Sequence, residues 1–172
     1  MSKGYVLASQ PARDFNQELV VDFPSGSLST TASDMTRFML AHLNNGSYNG
    51  AAILRPETVE RMHSRVFAVV DDMNGFAHGF YESSRNGQRV IGHGGDLYYF
   101  HSTMQLFLDQ GIGLYLSYNS IGNLPNSMSR ELVYGAFSDR YFPYTPPSAT
   151  TASSPAQLEE EKKALESALG AY

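Results

Sequence analysis

Apolar positions recur along this chain first with a helical period and then with a strand period. Met35, Phe38, Met39 and Leu43 stand at i, i+3, i+4 and i+8, which places them on one face of a helix. Thr31 with Asp34 resembles a capping box at its start, although Asp reaches back less far than Glu. Asn45-Gly46 stops the helix. Pro56, at a first helical position, opens a second helix running roughly to His63. The pattern then changes. Phe76 to Glu82 and Gln88 to His93 read as strands joined by a polar turn at Ser83–Gly87. From Tyr98 the period is two, through Tyr98, Phe100, Ser102, Met104, Leu106 and Leu108, with one face mostly apolar. Asp109-Gln110-Gly111 is a hairpin signal, and Ile112, Leu114, Leu116 and Tyr118 continue the alternation. Consecutive strands with short turns predict an antiparallel meander. Pro125-Asn126 opens a long helix whose apolar positions Met128, Leu132, Val133, Ala136, Phe137 and Tyr141 are expected to cover the sheet.

The ends carry weaker patterns. Residues 1–23 read as loop with short extended pieces, and Pro24-Ser25-Gly26-Ser27 as a turn. After Pro143 the chain is rich in Pro, Ser, Thr and Ala, so residues 143–157 read as a linker. Residues 158–172 read as a short helix, acidic then basic, leading toward a possible further domain. Residues 1–142 are therefore expected to form one α+β unit, an antiparallel sheet flanked by helices.

Composition narrows the classes. A chain of 172 residues with 42% hydrophobic and 17% charged residues is globular and long enough for one core. A net charge of −5 argues against nucleic acid as a partner, because phosphate binding needs a basic surface. The absence of cysteine excludes disulfides, thiolate zinc sites and a cysteine nucleophile. No apolar run approaches the length of a membrane span. The first residues are too weakly apolar for a signal peptide and read like the middle of a domain.

The candidate chemistry centres on His93-Gly94-Gly95, within Arg89-Val90-Ile91-Gly92-His93-Gly94-Gly95-Asp96. A histidine followed by two residues without Cβ at a strand edge suits close approach by a ligand. In its context this resembles the third active-site motif of the serine β-lactamase and penicillin-binding-protein superfamily. The nearest branch is that of class C β-lactamases, D-alanyl-D-alanine carboxypeptidases and esterases, where Lys-Thr-Gly is often replaced by His-x-Gly. Other segments agree in order. Pro24 to Met35 resembles the family segment that leads into a helix beside the active site, Ile53 to Met62 resembles the next helix, and Asn119 closes the last strand. Leu169-Gly170-Ala171-Tyr172 is similar to the start of an appended β-barrel in some members.

The resemblance implies the C-terminal part of a β-lactamase/transpeptidase-like fold, supplying three strands of a five-stranded antiparallel sheet. It implies that the His93 side chain faces the nucleophile pocket as a donor to substrate or to the catalytic hydroxyls. It further implies that Gly94 and Gly95 let substrate lie along the strand, and that the Asp96 backbone N–H supplies half of an oxyanion hole. Tyr98 and Tyr99, beside this motif, are candidates for substrate contact as well as strand packing. No cofactor is implied. The implied substrates are β-lactams, D-Ala-D-Ala peptides or small esters, and the implied setting is periplasmic or extracellular.

The nucleophile is missing from these residues. Such enzymes place an attacking serine three residues before a lysine so that both share a helix face. The lysines are Lys3, Lys162 and Lys163, and no serine stands three residues before any of them. Tyr-x-Asn is absent. Ser-x-Asn at Ser47/Asn49, Ser84/Asn86 and Ser117/Asn119 occurs in loops or in the wrong order. No Gly-x-Ser-x-Gly elbow exists. This chain alone is therefore expected to be inert, with one wall of an active site and no attacking group. The rival reading is a non-catalytic α+β module that binds a ligand or partner. Two absent strands would leave a sheet edge open to self-association. His93, Asp96 and His101 lack the spacing of a metal site. His42 reads as a satisfied, half-buried histidine, Ser102 as structural, and Ser27 to Thr31 as helix capping.

Overall fold

The computed structural model describes residues 2–6, 20–21, 24–121, 126–146, 159 and 162–163. Most of the expected N-terminal loop, residues 147–157 of the expected linker and the Leu169–Tyr172 segment lie outside these residues. Glu159, Lys162 and Lys163 are helical.

Helix α1 spans Ala32–Leu43 and α2 spans Pro56–His63. The α1 cap differs from a capping box. The Asp34 N–H donates to Thr31 Oγ1 at 3.1 Å, but Asp34 is too short to return to the Thr31 backbone. Its carboxylate instead accepts a hydrogen bond from the Thr31 hydroxyl at 2.8 Å. Between these helices lies a hairpin of β1 (Ser47–Tyr48) and β2 (Ala51–Ala52). Asn49 (φ 49°) and Gly50 (φ 80°) make its turn, the left-handed pair that an Asn-Gly hairpin requires.

Six antiparallel strands follow in sheet order β3-β4-β5-β6-β7-β8. They are β3 (Arg65–Phe67), β4 (Phe76–Ala77), β5 (Tyr81–Glu82), β6 (Val90–Asp96), β7 (His101–Phe107) and β8 (Ile112–Tyr118). The long strands β6 to β8 are the expected three. The short strands β3 to β5 extend the sheet beyond β6 and were not expected as separate elements. Phe76 to Glu82 is not one strand: Gly79 (φ +78°) turns the chain, and Phe76 pairs back onto Tyr81. Helix α3 spans Asn126–Tyr141.

The two sheet faces are covered differently. Met39 of α1 packs with Phe80, Ile91, Met104 and Leu106 on one face. Tyr134 of α3 packs with Val90 and Phe107 on the other. Central strand β7 is consequently buried on both faces, including Thr103 and Gln105, rather than on one as its alternation suggested. The expected stripe of α3 is buried only in part: Phe137 packs against Phe107, while Met128, Leu132, Val133 and Tyr141 are exposed. Its inward face carries Arg130 and Tyr134, whose polar ends reach the Ser102 and Ser83 carbonyls at 2.8 Å and 2.5 Å.

Candidate active site

Alternation along β6 divides its residues between the two faces. Ile91 lies in the α1-side core, so His93 and Gly95 share that side. Val90 lies in the α3-side core, so Gly92, Gly94 and Asp96 share that one. A cleft of about 880 Å³ opens on the α1 side. One wall is the 25–31 loop with Asp34 and Met35 of α1. The other is the His93–Asp96 end of β6 and the following Leu97, with Ser102, Met104, Tyr115 and Ser117 of the neighbouring strands. Asn119 closes one end by donating Nδ2 to Ser2 Oγ at 2.7 Å and to Lys3 O at 2.6 Å.

His93 is exposed to this cleft. Its Nδ1 lies 2.7 Å from the Gly94 carbonyl. A carbonyl can only accept, so Nδ1 carries the hydrogen and neutral His93 presents Nε2 as an acceptor. The Tyr81 ring lies alongside at 5.3 Å between centroids.

Gly94 is held from behind. The Gly94 backbone hydrogen-bonds the Tyr81 oxygen, an interaction that favours the phenolate; burial outweighs it and pushes the phenol up, so Tyr81 stays neutral. A Cβ on Gly94 would lie 2.8 Å from Arg130 Nη1 and 2.9 Å from the Tyr81 oxygen, leaving no room for any other residue without a shift. Asp96 belongs to the same rear assembly. Its carboxylate accepts from Arg130 Nη2 at 2.6 Å and from His101 Nδ1 at 2.8 Å. The His101 ring is buried, and its Nε2 has no partner among the described residues.

The ladder fixes where the backbone groups of β6 point. Leu97 N–H bonds the Phe100 carbonyl and Leu108 N–H bonds the Arg89 carbonyl, so odd positions of β6 bond β7. Even positions point the other way, as the Val90 carbonyl does in accepting from Ser83 N–H at 2.9 Å. On that side β5 ends opposite Gly92. The Asp96 N–H is therefore directed at an edge left open among the described residues, one step beyond the Gly94 amide region that Tyr81 occupies.

A family described as Beta-lactamase matches residues 2–133. This chain belongs to that family. Among solved structures, the octameric penicillin-binding protein homologue from Pyrococcus abyssi matches with a TM-score of 0.52 at 19% identity. The match covers 78% of this chain and 31% of that one, so this chain spans about a third of that protein's length. No curated protein matches. At that identity the likeness is one of fold, and the fold of this family member is α+β.

The structure brings His93, Gly94, Gly95 and Asp96 to one strand end at the cleft. It does not bring Tyr98 or Tyr99 to the cleft wall. They form the turn between β6 and β7, with Tyr98 exposed and the Tyr99 ring over Gly4, while their neighbours Leu97 and Phe100 line the cleft. His93 lies on the opposite face from Asp96 and His101, and no three metal-ligating side chains meet among the described residues. Ser25, expected in a turn, and Ser29 and Thr30, expected to cap a helix, face β6 across the cleft.

Sequence reading missed Tyr81 and Arg130, which hold the strand from behind. Arg130 stands one helical turn before Tyr134, and that spacing was the available signal. Also missed was the meeting of His42 and His63. His42 is fully rather than half buried, and its Nδ1 lies 3.1 Å from His63 Nε2. This pair borders a second cleft of about 800 Å³ between α2 and the β7–β8 turn. Burial holds the His42 imidazole below its usual range. Burial, His42 and the Arg89 guanidinium lower His63 to about 4.

Proposed function

We propose that this chain is the carbonyl-holding wall of a serine acyl-hydrolase site whose attacking serine comes from sequence other than these residues. The observation that supports it most is the end of β6. His93 and Gly95 face the cleft there, while the Asp96 N–H is directed at the edge that β5 leaves open. In acyl transfer a tetrahedral oxyanion needs two converging donors. The Asp96 N–H is one, and the N–H of the attacking residue is the other. His93 Nε2, an acceptor when neutral, takes a proton from a substrate or enzyme hydroxyl and returns it when protonated. Gly95 keeps the strand surface low enough for a substrate backbone to lie along it.

The substrate class is a carboxylic acyl donor: a β-lactam, a D-Ala-D-Ala peptide or a small ester. The setting proposed for the whole enzyme is outside the cytoplasm, where such substrates occur. On its own the chain binds without turnover, because no Ser-x-x-Lys pair is present.

The test combines intact-mass spectrometry with amide NMR. Incubation with a fluorescent penicillin or a fluorophosphonate is expected to leave the mass unchanged. Titration with a cephalosporin or an N-acyl-D-Ala-D-Ala peptide is expected to shift the Gly94, Gly95 and Asp96 amides. A stoichiometric serine adduct would refute the inert wall. Unmoved amides with every ligand would refute the carbonyl-holding role.

A further inference from the structure

The β3–β4 hairpin displays its apolar side chains outward while its polar groups are tied inward. Val66, Phe67, Val69, Val70, Met73 and Phe76 are each more than half exposed, and Val69 reaches 83%. The backbone beneath them is fixed. Arg65 donates to the Asp71 carbonyl at 2.6 Å and to Glu82 Oε2 at 2.7 Å. Gly75 N–H also reaches Glu82 Oε2, at 3.0 Å. Asn74 and Ser84 exchange a pair of bonds at 3.2 Å, and Met73 N–H closes a turn on the Val70 carbonyl. A loop held this firmly has little freedom left to lose on association, which removes one of the main costs of binding.

We propose that this hairpin is a self-association surface that joins two copies of the chain face to face. The inference is independent of the acyl-hydrolase reading. Six such side chains make an apolar patch of roughly 600 Å², at or above the largest patch on an ordinary monomer. Two copies would bury about 1,200 Å² between them, the lower end of specific interfaces. A surface meeting its own copy satisfies both patches at once, as a two-fold interface requires.

The contact is made by side chains and not by adding strands. The register of β3 on β4 shifts between Arg65 and Phe67, which marks a bulge at Val66. A bulge on an edge strand disrupts ladder pairing with a newcomer. The same irregularity leaves Val66 and Phe67, neighbours in sequence, both exposed. Strand β8, the other edge of the sheet among the described residues, shows only Ile112 among its large apolar residues as exposed, at 38%.

Sedimentation velocity over a wide micromolar range tests this on the intact chain. The expected result is a concentration-dependent dimer. Val69→Asp combined with Met73→Lys should weaken it at least tenfold. Both positions are exposed, so the circular dichroism spectrum and melting temperature should stay within error of the parent. Leu132→Glu, on the exposed side of α3, and Ile112→Lys, on β8, should leave the dimer intact. A monomer at every concentration overturns the proposal. So does a dimer that survives the hairpin variant, or one that either control dissolves.

Discussion

Acidification should loosen α1 from α2 through the buried pair of His42 and His63, and its size follows from the structure. Each imidazole is almost fully buried, and they share one contact of 3.1 Å beside the rings of Phe38 and Phe80. Two neutral rings satisfy that contact with one proton, whereas two charged ones repel. The groups around them sharpen the effect. Arg89 donates to the His63 carbonyl at 2.7 Å, and Glu57, Glu60 and Asp109 border the cleft further out. His63 falls from 6.5 to about 4 in the folded chain. Since the folded value lies below the unfolded one, the unfolded chain binds more protons between them. Stability is therefore full above about pH 6.5 and declines as pH falls toward about 4. At about 1.4 kcal/mol per unit, the His63 shift gives an upper bound of about 3.5 kcal/mol. The adjoining cleft admits water, so about 2 kcal/mol is the expected loss. His42 is lowered too and acts in the same direction. The assay is urea denaturation at a series of pH values on the parent and on His42→Gln/His63→Gln. The parent should lose about 2 kcal/mol across the window, and the double variant less than half as much. Equal slopes in the two proteins would refute the reasoning. Glu82 does not confuse the result. Burial raises its carboxyl, but Arg65 and the Gly75 N–H outweigh that and hold it below the usual range, so its loss comes at lower pH.

Other perturbations read out the two faces of β6. Gly92→Ala should cost more than about 3 kcal/mol, because its Cβ would collide with the Met104 carbonyl inside the ladder. Gly95→Ala should cost under about 1 kcal/mol in denaturant titration, since only Ser102 Oγ lies near, at 3.1 Å. Arg130→Ala should cost about 1–2 kcal/mol by losing its bonds to Asp96 and the Ser102 carbonyl. Hydrogen exchange at Gly94 to Asp96 should rise with it. Tyr134→Phe should cost about 1 kcal/mol, because the ring stays packed while the bond to the Ser83 carbonyl is lost.

The parts legible in sequence were those whose signal is local. Strands β7 and β8 announced themselves by period two around Asp109-Gln110-Gly111, and α2 by Pro56. Asn49-Gly50 carried an equally local hairpin signal that was overlooked. Phe76 to Glu82 misled because an apolar run conceals a turn that only the backbone of Gly79 reveals. The α3 stripe misled for a different reason. The sheet there offers carbonyls as well as apolar surface, so polar-tipped Arg130 and Tyr134 face inward and the aliphatic residues do not. His42 and His63 stand 21 positions apart on different helices, and nothing local could have paired them.

The candidate site depends on register more than on any one side chain. In β6, odd positions supply what faces the cleft and even positions supply what braces it. A slip of one residue would turn His93 toward α3 and Asp96 toward the cleft. A strand with glycine at 92, 94 and 95 resists such a slip poorly by packing, since it has few side chains to lock. The lock therefore comes from elsewhere. Gly92 admits Gln105, and Gly94 admits Arg130 and Tyr81, so each gap accepts a specific neighbour that a slipped strand would exclude. Asp96, tied to both Arg130 and His101, fixes the last residue. On this view the glycines serve two purposes. On the cleft side Gly95 leaves room for a substrate, and on the rear side Gly92 and Gly94 leave room for the groups that hold the strand in place.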